Sequence, residues 1–331
     1  MFGGQQCYII MSHTLLCKES TTAIKGFAIL LVIISHIGLF GYGIRMFVPL
    51  GGIGVAVFLI LSGYGLMESF YRNGLKDFWK KRVLRVVIPY LIWIIVYSLF
   101  LYIMHQPFSI DKIRYWFVEY IIVWYFLFYI AISFTKSHKW LFLGVSAIVL
   151  IWMMPCLQAQ QSLSFPIGMF ISCHKNNLKK DKQKMMWIAA TFLIIGSMAF
   201  LVKQMIASGC YSIWDMNIGN LTAVKNVNDE DVVRKIVQVF TKLPTAIFII
   251  IIGDIFQSDR SKFLVFMGTL AYELYLVHMP FTHYIRCNFL NLVVFIILSL
   301  IFSKLLNWIS KTVIQKKALF SIFGNNKNNI S

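Results

Sequence analysis

The sequence predicts an all-α, polytopic transmembrane helical bundle of about ten spans. Three observations predict it. Of the 331 residues, 59% are hydrophobic, with a mean hydropathy of +0.73. The apolar residues gather in runs of about 20, the length a helix needs to cross a hydrocarbon layer of about 30 Å. These runs do not alternate polar with apolar, as the strands of a membrane barrel would.

The predicted spans are 24–43, 49–71, 86–104, 115–134, 140–155, 159–173, 185–206, 243–257, 263–281 and 289–309. The first is apolar except for His36, and the second opens on a glycine-rich stretch. The third follows the basic stretch Lys80-Lys81-Arg82-Val83-Leu84-Arg85, and the fourth enters through aromatic residues. The sixth is the least lipid-like, because 157–164 is polar and its apolar part begins near Phe165; a short or buried helix is expected there. The ninth carries Glu273, Tyr275 and His278.

An even number of spans puts both termini on one side. With the termini cytoplasmic, 22 of the 31 Lys and Arg residues face inward, as the positive-inside rule requires, and the reverse orientation inverts that ratio. The formal net charge of +18 therefore orients the chain in a cytoplasmic (inner) membrane, as a multi-pass protein in contact with membrane lipids, and does not call for nucleic acid. The stretch 207–242, with Asp215, Asn217, Asn220 and Asp229-Glu230-Asp231, is the largest expected extramembrane piece and should lie outside.

No repeat or linker divides the chain, so 1–331 reads as a single domain, with 1–22 and 318–331 as flexible cytoplasmic tails. The first 23 residues lack the basic start and small-residue cleavage site of a secretory signal. The six cysteines show no C-x-x-C spacing, and the histidines and carboxylates form no metal-ligand cluster, so no metal is expected.

Four segments carry chemistry. His36 stands about 16 Å above Lys25 along one helix, and an imidazole in a lipid-length segment is costly enough to mark a site. The competing reading is a snorkelling lysine and a histidine satisfied by a neighbouring helix. In Gly51–Gly65 the glycines suit close helix packing, while Ser62 and Tyr64 are candidates to line a cavity. Arg82 and Arg85, three apart, share a helix face and form a fork for phosphate oxygens, or an ordinary lipid-headgroup flank. In Gly268–Pro280, Glu273, Tyr275 and His278 form either a polar staple between helices or part of a site.

Taken together and in this order, the segments resemble the membrane acyltransferase 3 family. Lys25, Gly26 and His36 match its opening Arg-Gly and later His, with Lys in place of Arg. Ser62-Gly63-Tyr64 is similar to its Ser-Gly-aromatic element, and Arg82-x-x-Arg85 before Pro89-Tyr90 to its paired arginines. Residues 270–280 resemble its Ser-Tyr-x-x-Tyr-Leu-x-His-x-Pro element with Ala271 where Ser is usual, and Tyr115-Trp116-Phe117-Val118-Glu119 its fourth-span entry.

The resemblance implies an O-acetyltransferase. Acetyl-CoA would be the donor, entering from the cytoplasm with its phosphates on Lys25, Arg82 and Arg85. The acceptor would be a hydroxyl of an envelope polysaccharide or lipid-linked sugar. His36 would act as general base or as acyl carrier, with Ser62, Tyr64, Glu119, Glu273, Tyr275 and His278 lining the site. A tunnel should join the cationic mouth to His36, and 207–242 could serve as a lid. The chain carries no appended extracytoplasmic domain, so either the membrane domain completes the transfer or a separate partner does. A transporter or glycan flippase is the alternative; it should show repeats or interrupted helices in matching halves.

Overall fold

In a computed structural model, the described residues are 16–107, 114–135, 138–178, 181–207, 227–256, 258–282 and 288–327, and among them every regular element is helical. The helices are α1 (Lys18–His36), α2 (Val48–Asn73), α3 (Phe78–Arg82), α4 (Ile88–Ile103), α5 (Trp116–Ser133), α6 (Lys139–Met153), α7 (Cys156–Ala159), α8 (Ser164–Leu178), α9 (Lys182–Ala207), α10 (Val227–Ile255), α11 (Lys262–Thr269), α12 (Ala271–Phe281) and α13 (Phe289–Lys327).

Seven helical stretches are long and apolar enough to cross a membrane, or eight if the bent pair α11–α12 counts as one. They coincide with seven of the ten predicted spans. The other three are distinctive. α6 and α8 have 15 residues each, and α11 and α12 meet at 74°. Lipid-facing stripes identify the outer surface: on α4, Leu91, Ile95 and Leu99 recur every fourth residue and are about half or more exposed.

α2 is the central pillar, with 72% of its apolar window buried against 17% for the peripheral α9. It packs against α1, α8 and α10, while α9 pairs with α10. Missing side chains permit the closest approaches. A Cβ on Gly63 would strike the Phe165 carbonyl, and one on Gly168 the Ile60 carbonyl, so α2 and α8 touch backbone to backbone. The glycine run in α2 thus serves packing. Glu68 on α2 staples the same pair, accepting from Ser172 Oγ at 2.7 Å and pairing with Lys175 Nζ at 2.6 Å.

The polar segment before α8 is a buried turn. Gln160, Gln161, Ser162 and Ser164 are at most 3% exposed, and Gln161 Nε2 donates to the Gly52 carbonyl at 2.9 Å. Hydropathy reads such residues as unsuited to lipid, whereas the bundle interior satisfies them.

The eighth span begins earlier than its predicted start at 243. α10 runs continuously from Val227, and its apolar window opens at Val232, so the last eleven residues of the expected outside stretch belong to a span. Lys235, Thr241 and Lys242, all buried, lower the hydropathy there and mask the helix. Asp215, Asn217 and Asn220 lie outside the described residues, as does most of the proposed lid.

Candidate active site

Two π-helical turns mark the regions that the sequence singles out. Single π turns concentrate at functional sites because they redirect side chains within a helix. The first, Ile37–Gly41, follows His36 directly at the end of α1. The second, Val83–Val87, contains Arg85 and joins α3 to α4. Its cause is local: Pro89 lacks the N–H that would bond the Arg85 carbonyl. The Ile88 N–H instead reaches back to the Val83 carbonyl, and Tyr272 Oη donates to the Val86 carbonyl at 2.8 Å.

The break at Leu270 positions the ninth-span motif. Gly26 and Gly268 bring α1 and α11 into backbone contact, since a Cβ on Gly26 would strike the Leu264 carbonyl and one on Gly268 the Thr22 carbonyl. Beyond the break, α12 carries His278 to the end of α1. There His36 Nδ1 lies 2.8 Å from His278 Nε2, with the rings stacked at 5.0 Å and 25°.

The hydrogen bonds assign the tautomers. His278 Nδ1 lies 2.7 Å from the Leu274 carbonyl, which can only accept, so Nδ1 carries the proton and Nε2 the lone pair. His36 Nδ1–H must then donate to that lone pair, which leaves the basic lone pair of His36 on Nε2. His278 is fully buried and bonded at both ring nitrogens, an arrangement of the kind in which a third group can orient a base.

Aromatic side chains wall this pair. Tyr275 stands 6.0 Å from His278 ring to ring, 5.0 Å from Phe117 and 6.3 Å from Tyr115. Tyr115 Oη accepts from Trp93 Nε1 at 2.9 Å, and Tyr90 packs edge-on against the Tyr115 ring. Tyr115 is 5% exposed, and its phenol keeps an O–H to donate at neutral pH. Tyr115 enters the sequence reading only as the first residue of the aromatic fourth-span entry and Trp93 not at all, because nothing local shows that their polar ends meet across helices.

The cationic residues assemble about three turns away along α1. Arg82 and Arg85 lie within electrostatic range of Lys25. The Arg82 guanidinium sits 5.6 Å from the Phe78 and Tyr125 rings, and its Nε is buried without a hydrogen-bond partner. None of the three forms an ion pair among the described residues. Arg82 also hydrogen-bonds Tyr125; Lys25 and Arg82 are half-buried and Arg85 is exposed, and cations with no carboxylate partner among the described residues suit the oxygens of an arriving phosphate.

The remaining predicted residues make contacts of their own. Glu119 forms a bidentate pair with Arg114 at 2.7 and 2.9 Å, with 42% of its side chain exposed. Glu273 accepts from Asn307 Nδ2 at 2.8 Å and ties α12 to α13. Tyr64 is buried in the surroundings of Glu68 and Asp254, whose carboxylate accepts from the Leu16 N–H and Ser20 Oγ. No hydrogen bond joins half-buried Ser62 to either imidazole.

Two cavities lie near the regions where the tunnel is expected, among the described residues. One, of 10 Å³, sits beside Lys81 and Arg82; the other, of 610 Å³, lies beside Val48 and Lys203. Neither joins the arginines to His36. Among the described residues no group of His, Cys, Asp and Glu could hold a metal ion.

Fold and site together define a polytopic membrane protein that holds an oriented imidazole inside its bundle. The model of the family described as an acyltransferase domain matches residues 20–312, nearly the whole chain, and the chain belongs to this membrane acyltransferase 3 family. No curated protein and no solved structure matches it.

Proposed function

We propose that this membrane acyltransferase moves an acetyl group from cytoplasmic acetyl-CoA to a hydroxyl of an envelope polysaccharide or lipid-linked sugar, with His36 as general base. The observation that carries this reading is the His36–His278 pair, whose hydrogen bonds leave the lone pair of a neutral His36 on Nε2. A second support is the cationic group Lys25, Arg82 and Arg85, which matches the phosphates of the donor. The rise of about 16 Å from Lys25 to His36 suits the reach of a pantetheine arm.

His36 Nε2 accepts the proton of the acceptor hydroxyl as that oxygen bonds to the thioester carbonyl carbon. His278 holds the other ring nitrogen throughout and steadies the imidazolium. The Tyr115 O–H supplies a donor near the developing oxyanion. When the C–S bond breaks, His36 returns the proton to the departing thiolate. Positioned proton transfer of this kind contributes a factor of about 10²–10⁴. The basic end of the bundle faces the cytoplasm in this scheme.

Membranes incubated with radiolabelled acetyl-CoA test the proposal. Label in the glycan fraction, absent from His36→Ala membranes of equal protein content, supports it. Glycan flux without label favours a flippase. The broken helix α11–α12 is a feature that transporters also use, but among the described residues it has no counterpart at the matching place in the first half of the chain.

A further inference from the structure

Lys242 is a buried cation that the proposed chemistry does not use. It is 6% exposed in the middle of α10, and its Nζ donates to Gln160 Oε1. It pairs with no carboxylate among the described residues. A lone ammonium inside a membrane bundle is expensive unless an anion meets it.

The bundle is shaped around this side chain. A Cβ on Gly52 would lie 2.5–2.7 Å from Lys242 Cδ, Cε and Nζ, so glycine leaves the socket into which the lysine fits. The neighbouring Gly51 faces Ser35 Oγ, and Ser35 precedes His36. One turn of α2 therefore sets Lys242 at about the depth of His36. Lys203 stands within electrostatic range of Lys242 and lines the 610 Å³ cavity. The rest of that cavity is largely apolar, with Leu39, Met46, Val48, Pro49 and Phe200.

We infer that Lys242 and Lys203 form a second anion site, separate from the donor cations, that binds an amphiphilic phosphate whose apolar tail lies along this cavity. This rests on the proposed acyl transfer and deepens it, because a phosphate held at the level of His36 is what a lipid-linked sugar acceptor presents. An anionic phospholipid headgroup offers the same chemistry, and the test separates the two sources.

Purified protein in phosphatidylcholine nanodiscs is titrated with farnesyl phosphate, farnesol, inorganic phosphate and phosphatidylglycerol, with tryptophan fluorescence as the readout. Farnesyl phosphate should bind at least tenfold tighter than farnesol, inorganic phosphate and phosphatidylglycerol. Lys242→Gln and the peripheral Lys203→Gln should each weaken it about tenfold, while His36→Ala binds it normally. Equal binding of farnesol, or unchanged binding in folded Lys203→Gln and Lys242→Gln, overturns the site. Phosphatidylglycerol binding as tightly as farnesyl phosphate, with the same lysine dependence, overturns the acceptor assignment in favour of a structural lipid. Acetyl transfer plays no part in this readout, so failure here leaves the enzymatic proposal to its own test.

Discussion

His36 and His278 are 242 residues apart in the chain and 2.8 Å apart in the fold, ring nitrogen to ring nitrogen. The bond has a direction, because the Leu274 carbonyl claims the only proton of neutral His278. In the proposed mechanism His278 is a positioning residue, and the two histidines should fail differently. His36→Ala should lower acetyl transfer by about 10²–10⁴ with normal membrane accumulation. His278→Ala should lower it by about tenfold or somewhat more, the worth of one orienting hydrogen bond. Equal losses in initial-rate assays would show that His278 acts on substrate directly.

Removing the cations should affect donor binding before chemistry. Arg82→Ala and Arg85→Ala should each raise the KM for acetyl-CoA about tenfold, as expected for one charge-assisted contact, with kcat largely kept. Arg82→Lys should recover only part of the loss, since an ammonium cannot copy the fork. A fall in kcat alone would contradict the assignment.

Glu119→Gln should leave activity nearly unchanged. Its partner Arg114 is exposed, and an ion pair in that setting is worth about 1 kcal/mol or less. A large loss of transfer would instead bring Glu119 into the site.

Gly26→Ala and Gly268→Ala should destabilise the protein by about 1–3 kcal/mol each, because the added methyl meets backbone carbonyls that cannot move aside. Gly65→Ala, where nothing lies within 4 Å, is the matched control and should hold its thermal midpoint in detergent. A thermal midpoint for Gly26→Ala as high as that control would show that α1 and α11 do not make this contact.

Tyr115→Phe removes the acceptor for Trp93 Nε1 together with the phenolic donor. It should cost about 1–3 kcal/mol of stability and also reduce kcat. A stability loss with intact kcat would confine Tyr115 to a structural role.

Much of the arrangement was readable locally. Lys25, Gly26 and His36 lie on one helix, so their spacing already gives their separation. Arg82 and Arg85 share a face by the same logic, and seven spans follow from apolar length. The readings that shifted depend on neighbours far away in sequence. Glu273 looked like a companion of His278 on one helix, yet Asn307 on α13 takes it. Tyr64 lies toward Glu68 and Asp254 for the same reason. Lys242 looked like a loop residue because a hydropathy window scores a lysine against lipid and cannot register the socket at Gly52.

By itself the chain determined that it would cross a membrane many times, and which of its polar residues would be costly there. Those follow from apolar length and from the free energy of placing a charge or imidazole in hydrocarbon, which are properties of single segments. Tertiary structure alone decided which costly group meets which. Pairing depends on backbone contacts such as Gly26 with Leu264 and on the 74° break before α12, and these set the position of His278 against His36.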